Sequence, residues 1–230
     1  MRLTDVTLAG PPAASAFYER TLDLPLDGDA IRIGETALRF EPGDEAPFYH
    51  FALLVPGDRF DAALAWARGR VEILGDVFDA EAWDARAFYF HDPAGNIVEL
   101  IAHRGLEENG RAGSFAAEEL VGFSELGIVG DPPELLRRLE AAGLRMWDGT
   151  IDEPGRLAFV GEPGRTLILA PRGRGWMPTD RPAEPHPLTV TLAGLRDPAD
   201  LVTVCYLFDP EAGAGEKRPS GTASNSLLLG

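Results

Sequence analysis

Cysteine and long apolar runs are scarce in this 230-residue sequence. Cys205 is the only cysteine, which excludes an internal disulfide and a thiolate metal cluster. No apolar run approaches the roughly 20 residues of a membrane-spanning helix. The start, MRLTDVTLAG, has neither the basic region nor the apolar region of a signal peptide. We therefore expect a cytoplasmic protein with no membrane partner.

Basic residues are outnumbered by acidic ones, 21 against 37, which gives a formal net charge of −16 at pH 7. Nucleic acids and anionic membranes select basic surfaces, so neither is an expected partner. An apolar fraction of 45% with 25% charged residues is typical of a soluble globular protein with a substantial core. The expected partner is a small molecule, neutral or metal-bound, and the chain is expected to be a monomer or a homodimer.

Three segments have the pattern of strands, in which successive side chains point to opposite faces. They are residues 3–9 (LTDVTLA), residues 48–56 (FYHFALLVP) and residues 88–104 (FYFHDPAGNIVELIAHR). The last contains an Asp-Pro-Ala-Gly turn between two predicted strands. Helical spacing follows the first segment at residues 13–22 and the second at residues 59–68. This order predicts repeated units of strand, helix and strands.

An internal repeat supports the same units. VTLAG occurs at residues 6–10 and again at residues 190–194, and a variant, ELGIVG, occurs at residues 125–130. Four modules then start near residues 3, 48, 121 and 187. The predicted division is a domain of two modules over residues 1–104, a polar linker over 105–119, a degenerate second domain over 120–208 and a disordered tail over 209–230.

With these segments in this order, residues 1–104 resemble the vicinal oxygen chelate superfamily, which includes glyoxalase I, bleomycin-resistance proteins and extradiol dioxygenases. The resemblance rests on AFYERTL after the first strand, YHFALLVP at the second opening and the FYFHDPAGNIVELI hairpin. It implies an α+β fold in which paired βαβββ modules form two half-barrel domains. The C-terminal domain is expected to be incomplete, because LVTVCYLF at residues 201–208 stands where a helix belongs.

When the ligand positions of the family are transferred to this sequence, the resemblance implies that Asp5, His50 and Glu99 are metal ligands. Leu38 stands where glyoxalase I has a carboxylate, so a four-ligand site is not expected. The remaining set is close to the two histidines and one carboxylate of the extradiol dioxygenases, with Asp5 in place of one histidine. Such an oxygen-rich set favours Fe(II) or Mn(II), with Zn or Mg less expected.

The second half of the chain offers one further carboxylate at a ligand position. Glu125 lies in the third opening strand, but Thr189 and Ile168 stand at the related positions of the fourth opening and third closing strands. No second metal site is therefore predicted.

A metal-free interpretation stays open beside the first. Two carboxylates in an apolar cavity repel each other unless a cation or a proton lies between them. His50 and Glu99 can instead form a hydrogen-bonded pair while Asp5 points to solvent. His103 shares the strand face of Glu99 and is a candidate acid/base or supporting residue, or a surface residue at a strand end.

Residues 171–179 (PRGRGWMPT) form a predicted loop whose Arg174 and Trp176 either cover a ligand or are structural. The functional hypothesis is a metal-dependent enzyme of the dioxygenase or lyase type, acting on a small molecule with vicinal oxygens. The alternative is a metal-free binding protein of the bleomycin-resistance type.

Overall fold

A computed structural model describes residues 1–43, 47–195, 201–206 and 226–229. Three βαβββ modules follow one another along the chain. The first contains β1 (Arg2–Ala9), α1 (Pro12–Arg20), β2 (Leu26–Asp27), β3 (Ala30–Ile33) and β4 (Thr36–Glu41). The second contains β5 (His50–Leu54), α2 (Phe60–Arg68), β6 (Leu74–Ala80), β7 (Ala85–His91) and β8 (Ile97–His103). The third contains β9 (Gly122–Gly130), α3 (Pro132–Ala141), β10 (Met146–Gly149), β11 (Ala158–Glu162) and β12 (Arg165–Pro171).

The remaining described strands are β13 (Gly175–Trp176), β14 (Arg181–Pro182), β15 (Leu188–Ala193), β16 (Leu201–Tyr206) and β17 (Ser226–Leu229). The predicted α+β class and its βαβββ modules are confirmed. The last module is incomplete as predicted, because β16 stands where a helix was expected. Most of the predicted disordered tail lies outside the described residues, but Ser226–Leu229 forms a strand parallel to β16.

Two large sheets contain most of the strands. The first has the order β10-β11-β12-β9-β5-β8-β7-β6, and the second has the order β17-β16-β15-β1-β4-β3-β2. The antiparallel pair of β5 and β9 joins the second module to the third. The antiparallel pair of β1 and β15 joins the first module to the last.

The predicted division instead places the first two modules together in one domain over residues 1–104. The burial of the opening strands gives the physical reason for the observed pairing. Every residue of β5 is buried, as are all but the last residue of β9, so both strands suit the centre of a sheet that is covered on both faces. Buried and half-exposed residues alternate along much of β1 and β15, which suits a sheet with one open face. The domain boundaries themselves stay a prediction.

A buried hydroxyl connects the two sheets. Oγ1 of Thr36 on β4 donates to the carbonyl oxygen of Leu3 at 2.6 Å and accepts from the backbone N–H of Phe123 on β9 at 2.9 Å. Apolar side chains from both sheets surround this link in one continuous core, among them Leu3, Val6, Leu38, Phe51, Phe123, Leu126 and Val190.

The segment predicted as a linker, residues 105–119, is fastened to the start of α2. Nε of Arg59 lies 2.8 Å from Oε2 of Glu119, and both side chains are buried. The same guanidinium donates to the carbonyl oxygens of Arg111 and Gly113. The connection between the second and third modules therefore has a defined path. None of the described helices combines the length and apolar character needed to span a bilayer.

Candidate metal centre

Three neighbouring strands bring His50, Glu99 and Glu125 together around Ala52. In the strand register, Ala52 on β5 is paired with Glu99 on β8 and with Glu125 on β9. His50 lies two residues before Ala52 and therefore projects from the same face of the sheet. Ala52 lies between the two glutamates in this register, and its side chain is fully buried. One ligand atom from each of the three residues lies within 4.8 Å of the others.

The ring of His50 is oriented by a backbone carbonyl. Its Nδ1 lies 3.2 Å from the carbonyl oxygen of Ile97, and its Nε2 lies 3.5 Å from Oε2 of Glu99. When Nδ1 carries the proton and donates to Ile97, the lone pair of Nε2 faces the carboxylates. Metal-binding histidines are commonly held in this way. Tyr89, the cross-strand partner of Glu99, donates its hydroxyl to that carboxylate.

Burial sets the protonation of all three groups. It lowers the pKa of His50 to about 4, against the hydrogen bond to Ile97 and with help from the positive charge of Arg174. It raises the pKa of Glu125 to about 8. Burial and then the negative charge of Glu125 raise the pKa of Glu99 well above its usual range, against the hydrogen bond from Tyr89.

The lowered pKa of His50 favours its neutral imidazole, and the raised pKa values of Glu99 and Glu125 favour their protonated forms when no cation is bound. The 3.5 Å approach of His50 and Glu99 therefore does not require opposite charges. A divalent cation can replace these protons, because binding to metal favours the deprotonated carboxylate.

The donor set fits such a cation. With bonds of about 2.1 Å, neighbouring ligand atoms around an octahedral ion lie about 3 Å apart. The separation of 3.5 Å between Nε2 of His50 and Oε2 of Glu99 is close to this value. One imidazole and two carboxylates form a hard, oxygen-rich set that suits Mn(II) or Fe(II).

A cavity of about 580 Å³ opens over the three residues. This volume is within the range of small-molecule sites. Aromatic side chains form much of its wall: the ring of Trp176 lies 4.8 Å from that of His50, and Trp83 packs edge-to-face on Phe159 at 4.6 Å. The guanidinium-bearing residues Arg156 and Arg174 line it as well. The cavity can therefore hold a small molecule beside the candidate ligands.

The structure brings together two of the three predicted ligands, His50 and Glu99, and leaves Asp5 elsewhere. Asp5 lies on β1 in the other sheet, where its half-exposed carboxylate is 3.2 Å from Nη1 of Arg39. Asp5 lies apart from them because β1 pairs with β15 and β4 and not with a strand that carries His50 or Glu99, so its role as a ligand stays a prediction. Glu125 takes the third place instead.

Glu125 has a usable signal in the sequence, since it lies at the ligand position of an opening strand. Glu125 was not predicted to be a ligand, because its expected partners, Thr189 and Ile168, offer no metal-binding side chains. With β9 paired to β5, its neighbours are instead His50 and Glu99. Tyr89 also belongs to the site, because it lines the cavity and its hydroxyl stabilises the charged form of Glu99.

His103 is buried at the end of β8, and its ring stacks on Trp83 with centroids 6.3 Å apart. Burial lowers the pKa of His103. Its side chain is not among the described groups that line the cavity. An acid/base role for His103 therefore stays a prediction.

No protein-family model matches the sequence, and no curated protein sequence matches it either. Solved structures do match the fold. The "putative dioxygenase" of Bacillus subtilis subsp. subtilis strain 168 aligns over 92% of this chain and 71% of its own, with 15% identity and a TM-score of 0.52.

Two mutants of glyoxalase I from Zea mays are similar as well. One mutant aligns over 89% of this chain and 93% of its own, with 12% identity and a TM-score of 0.52. The other aligns over 89% of this chain and 74% of its own, with 14% identity and a TM-score of 0.51. The chain therefore has a glyoxalase-like fold, in agreement with the fold that the resemblance of residues 1–104 implies.

Proposed function

We propose that this protein is a metal-dependent enzyme that acts on a small molecule with vicinal oxygens, with His50, Glu99 and Glu125 as its metal ligands. One observation carries the proposal: three buried side chains with ligand atoms converge within 4.8 Å beside a cavity of about 580 Å³. Buried carboxylates in such a cluster need a proton or a cation as a partner. Mn(II) and Fe(II) are the expected ions.

The roles of the residues follow from their positions. His50 presents a neutral Nε2 because Ile97 accepts from its Nδ1. Tyr89 steadies the carboxylate of Glu99. A bound divalent ion supplies Lewis-acid activation of substrate oxygens and, in the case of iron, redox chemistry with dioxygen. The aromatic side chains of the cavity offer apolar surface to the rest of the substrate, and the proposed reaction is of the dioxygenase or lyase type.

Metal analysis of purified protein tests this proposal. The protein is stripped with a chelator, loaded anaerobically with Mn(II) or Fe(II), desalted and analysed for metal per chain. We expect one ion per chain in the wild type and in Asp5→Asn. We expect loss of that ion in His50→Ala and Glu125→Gln. The proposal would be contradicted if both ligand variants retained the metal. It would also be contradicted if none of the four proteins retained it.

The reaction type is tested on the loaded protein with catechols and with 2-oxoaldehyde thiol adducts. Oxygen consumption together with a new ring-cleavage absorbance identifies a dioxygenase. Product without oxygen consumption identifies a lyase or isomerase. Absence of turnover in a protein that retains its metal would contradict the enzymatic part of the proposal.

Metal-free ligand binding is the second candidate function. The neutral contact between His50 and Glu99, with Tyr89 donating to Glu99, favours it because the buried groups are paired without a cation. One-to-one binding of a small molecule by metal-stripped protein, unchanged by added metal and without product, would select this function.

A further inference from the structure

Two arginines from the second half of the chain line the same cavity as Glu99. Arg156 lies in the loop before β11, and Arg174 lies in the segment after β12. The Arg174 side chain is partly buried, and its Nη1 donates to the carbonyl oxygen of Gly175 at 2.7 Å. Within the described parts of the chain, Arg174 forms no ion pair with a carboxylate. Most of its donors are therefore open to a ligand.

Arg174 is close enough to the centre to act on it. Its positive charge contributes to the lowered pKa of His50. Two residues further on, the ring of Trp176 lies 4.8 Å from the His50 ring. One short segment thus places a cation and an aromatic surface beside the candidate metal ligands.

The surroundings of Arg174 leave its charge only partly compensated. Burial lowers its pKa, the negative charge of Asp180 acts in the opposite direction, and the positive charge of Arg156 lowers it further. An arginine nevertheless stays protonated in a protein. A partly desolvated guanidinium next to a second one is stabilised by an anion, most of all by a carboxylate that accepts two parallel hydrogen bonds.

Three further acidic residues line the cavity, Asp79, Glu81 and Asp148. Asp79 lies 3.5 Å from Arg86, and Asp148 accepts a hydrogen bond from Nε1 of Trp83. Arg156 lies 3.8 Å from Glu153. Arg174 is therefore the cation of the described lining that a ligand's carboxylate can best pair with. The net charge of −16 repels anions at a distance, but salt screens that repulsion beyond roughly 8 Å.

We propose that the substrate is a small planar carboxylate whose acid group is held by Arg174, with Arg156 in support, while its vicinal oxygens reach the metal. This rests on the proposed function for the chelating end, whereas the recognition of the acid group depends on the arginines alone. The flat aromatic surfaces of Trp83, Phe159 and Trp176 match a planar apolar body.

Anaerobic binding to Mn(II)-loaded protein tests the proposal with a matched pair of probes, 3,4-dihydroxybenzoate and 4-methylcatechol. Both carry the same vicinal oxygens, and only the first carries a carboxylate. Calorimetry gives the affinities, and quenching of tryptophan fluorescence reports binding independently. We expect the acid to bind at least about tenfold more tightly in the wild type, since the charge-assisted hydrogen bonds are available only to it.

Three variants separate the specific role of Arg174 from a general loss of charge. Arg174→Gln should remove the preference for the acid and leave the affinity for 4-methylcatechol within about threefold. Arg172→Gln removes the same charge from an exposed residue of the same segment that does not line the cavity, and it should keep the preference. Arg174→Lys retains the charge but not the planar fork, so an intermediate preference is expected. Thermal melts confirm that each variant is folded.

Benzoate and benzyl alcohol, which lack vicinal oxygens, distinguish this proposal from the proposed function. If the protein retains no metal but binds benzoate in an Arg174-dependent manner, the metal enzyme is excluded and the recognition of a carboxylate is supported. If the protein retains metal but binds the acid and 4-methylcatechol equally, the carboxylate proposal is wrong. Identical behaviour of Arg174→Gln and Arg172→Gln would also overturn it.

Discussion

Nε2 of His50 lies 3.5 Å from Oε2 of Glu99, and the two side chains are only 7% and 6% exposed. Burial favours the neutral form of each group, so their approach does not depend on opposite charges. The raised pKa of Glu99 favours its protonated form in the metal-free protein, and a divalent ion can take the place of that proton. Protonation, metal binding and stability are therefore linked at this site.

The stability of the metal-free protein should fall as pH rises. Burial raises the pKa of Glu125 from 4.5 to about 8, so between these values the folded state binds more protons than the unfolded state. The stabilisation is complete below pH 4.5 and is lost as pH rises through about 8. The lowered pKa of His50 acts in the opposite direction below pH 6.5, so the window in which Glu125 dominates is pH 6.5 to 8. One pKa unit corresponds to about 1.4 kcal/mol, and we expect a fall of about 1–2 kcal/mol over that window.

Urea denaturation of metal-stripped protein at unit steps of pH measures this fall. Glu125→Gln cannot ionise at this position, so its profile should be flatter than that of the wild type. Parallel profiles for the two proteins would show that Glu125 does not titrate in this range. Added Mn(II) should reduce the fall in the wild type and leave the variant unchanged.

Removing the hydroxyl of Tyr89 should weaken metal binding. Tyr89→Phe takes a hydrogen-bond donor from Glu99 and so raises the pKa of that carboxyl further. Loss of such a supporting hydrogen bond typically costs about 10- to 100-fold in metal affinity, and calorimetric titration with Mn(II) measures it. Tyr49→Phe is the control, because its hydroxyl instead donates to the carbonyl oxygen of Pro187. Equal Mn(II) affinities in the two variants would refute the supporting role.

The small size of the Ala52 side chain should be required for metal binding. Ala52 is fully buried between Glu99 and Glu125 in the register. Ala52→Leu places a large side chain between the carboxylates, so we expect loss of the bound ion and a destabilisation of about 1–3 kcal/mol from overpacking. Ala52→Gly keeps the space free and should retain metal. Elemental analysis and urea denaturation of both variants check the two expectations.

Thr36 should stabilise the association of the two sheets. Thr36→Val removes a hydroxyl that is hydrogen-bonded to Leu3 and Phe123 and leaves two buried backbone groups without that partner. Such a loss typically costs about 1–3 kcal/mol. Thr4→Val is the comparison, because Oγ1 of Thr4 makes only a half-exposed bond to Thr191. Urea denaturation should show the larger loss for Thr36→Val.

The local pattern of the sequence was enough to find His50 and Glu99, but not the third member of the centre. Alternation within a strand fixes which side chains share a face, and the resemblance fixes their positions. The choice between Asp5 and Glu125 depends on which opening strands pair over a long distance in the chain. That choice is made by the fit of buried surfaces, which no short segment encodes.

The role of the loop that contains Arg174 and Trp176 could not be decided from the sequence either. Its composition allowed either a ligand cover or a structural loop, because two arginines alone do not define an anion site. Only the packing of β13 beside His50 brings these side chains to the cavity. The replacement of a helix by β16, in contrast, was visible in the sequence, where residues 202–204 are all β-branched.

Residues 105–119 separate two halves of the chain, and each half contributes strands to both large sheets. His50 and Glu99 precede this segment and Glu125 follows it, just as β1 precedes it and β15 follows it. A chain cut here yields two fragments, neither of which carries the full set of ligands. Ion capture by the mixed fragments would then serve as a direct reporter of their reassembly.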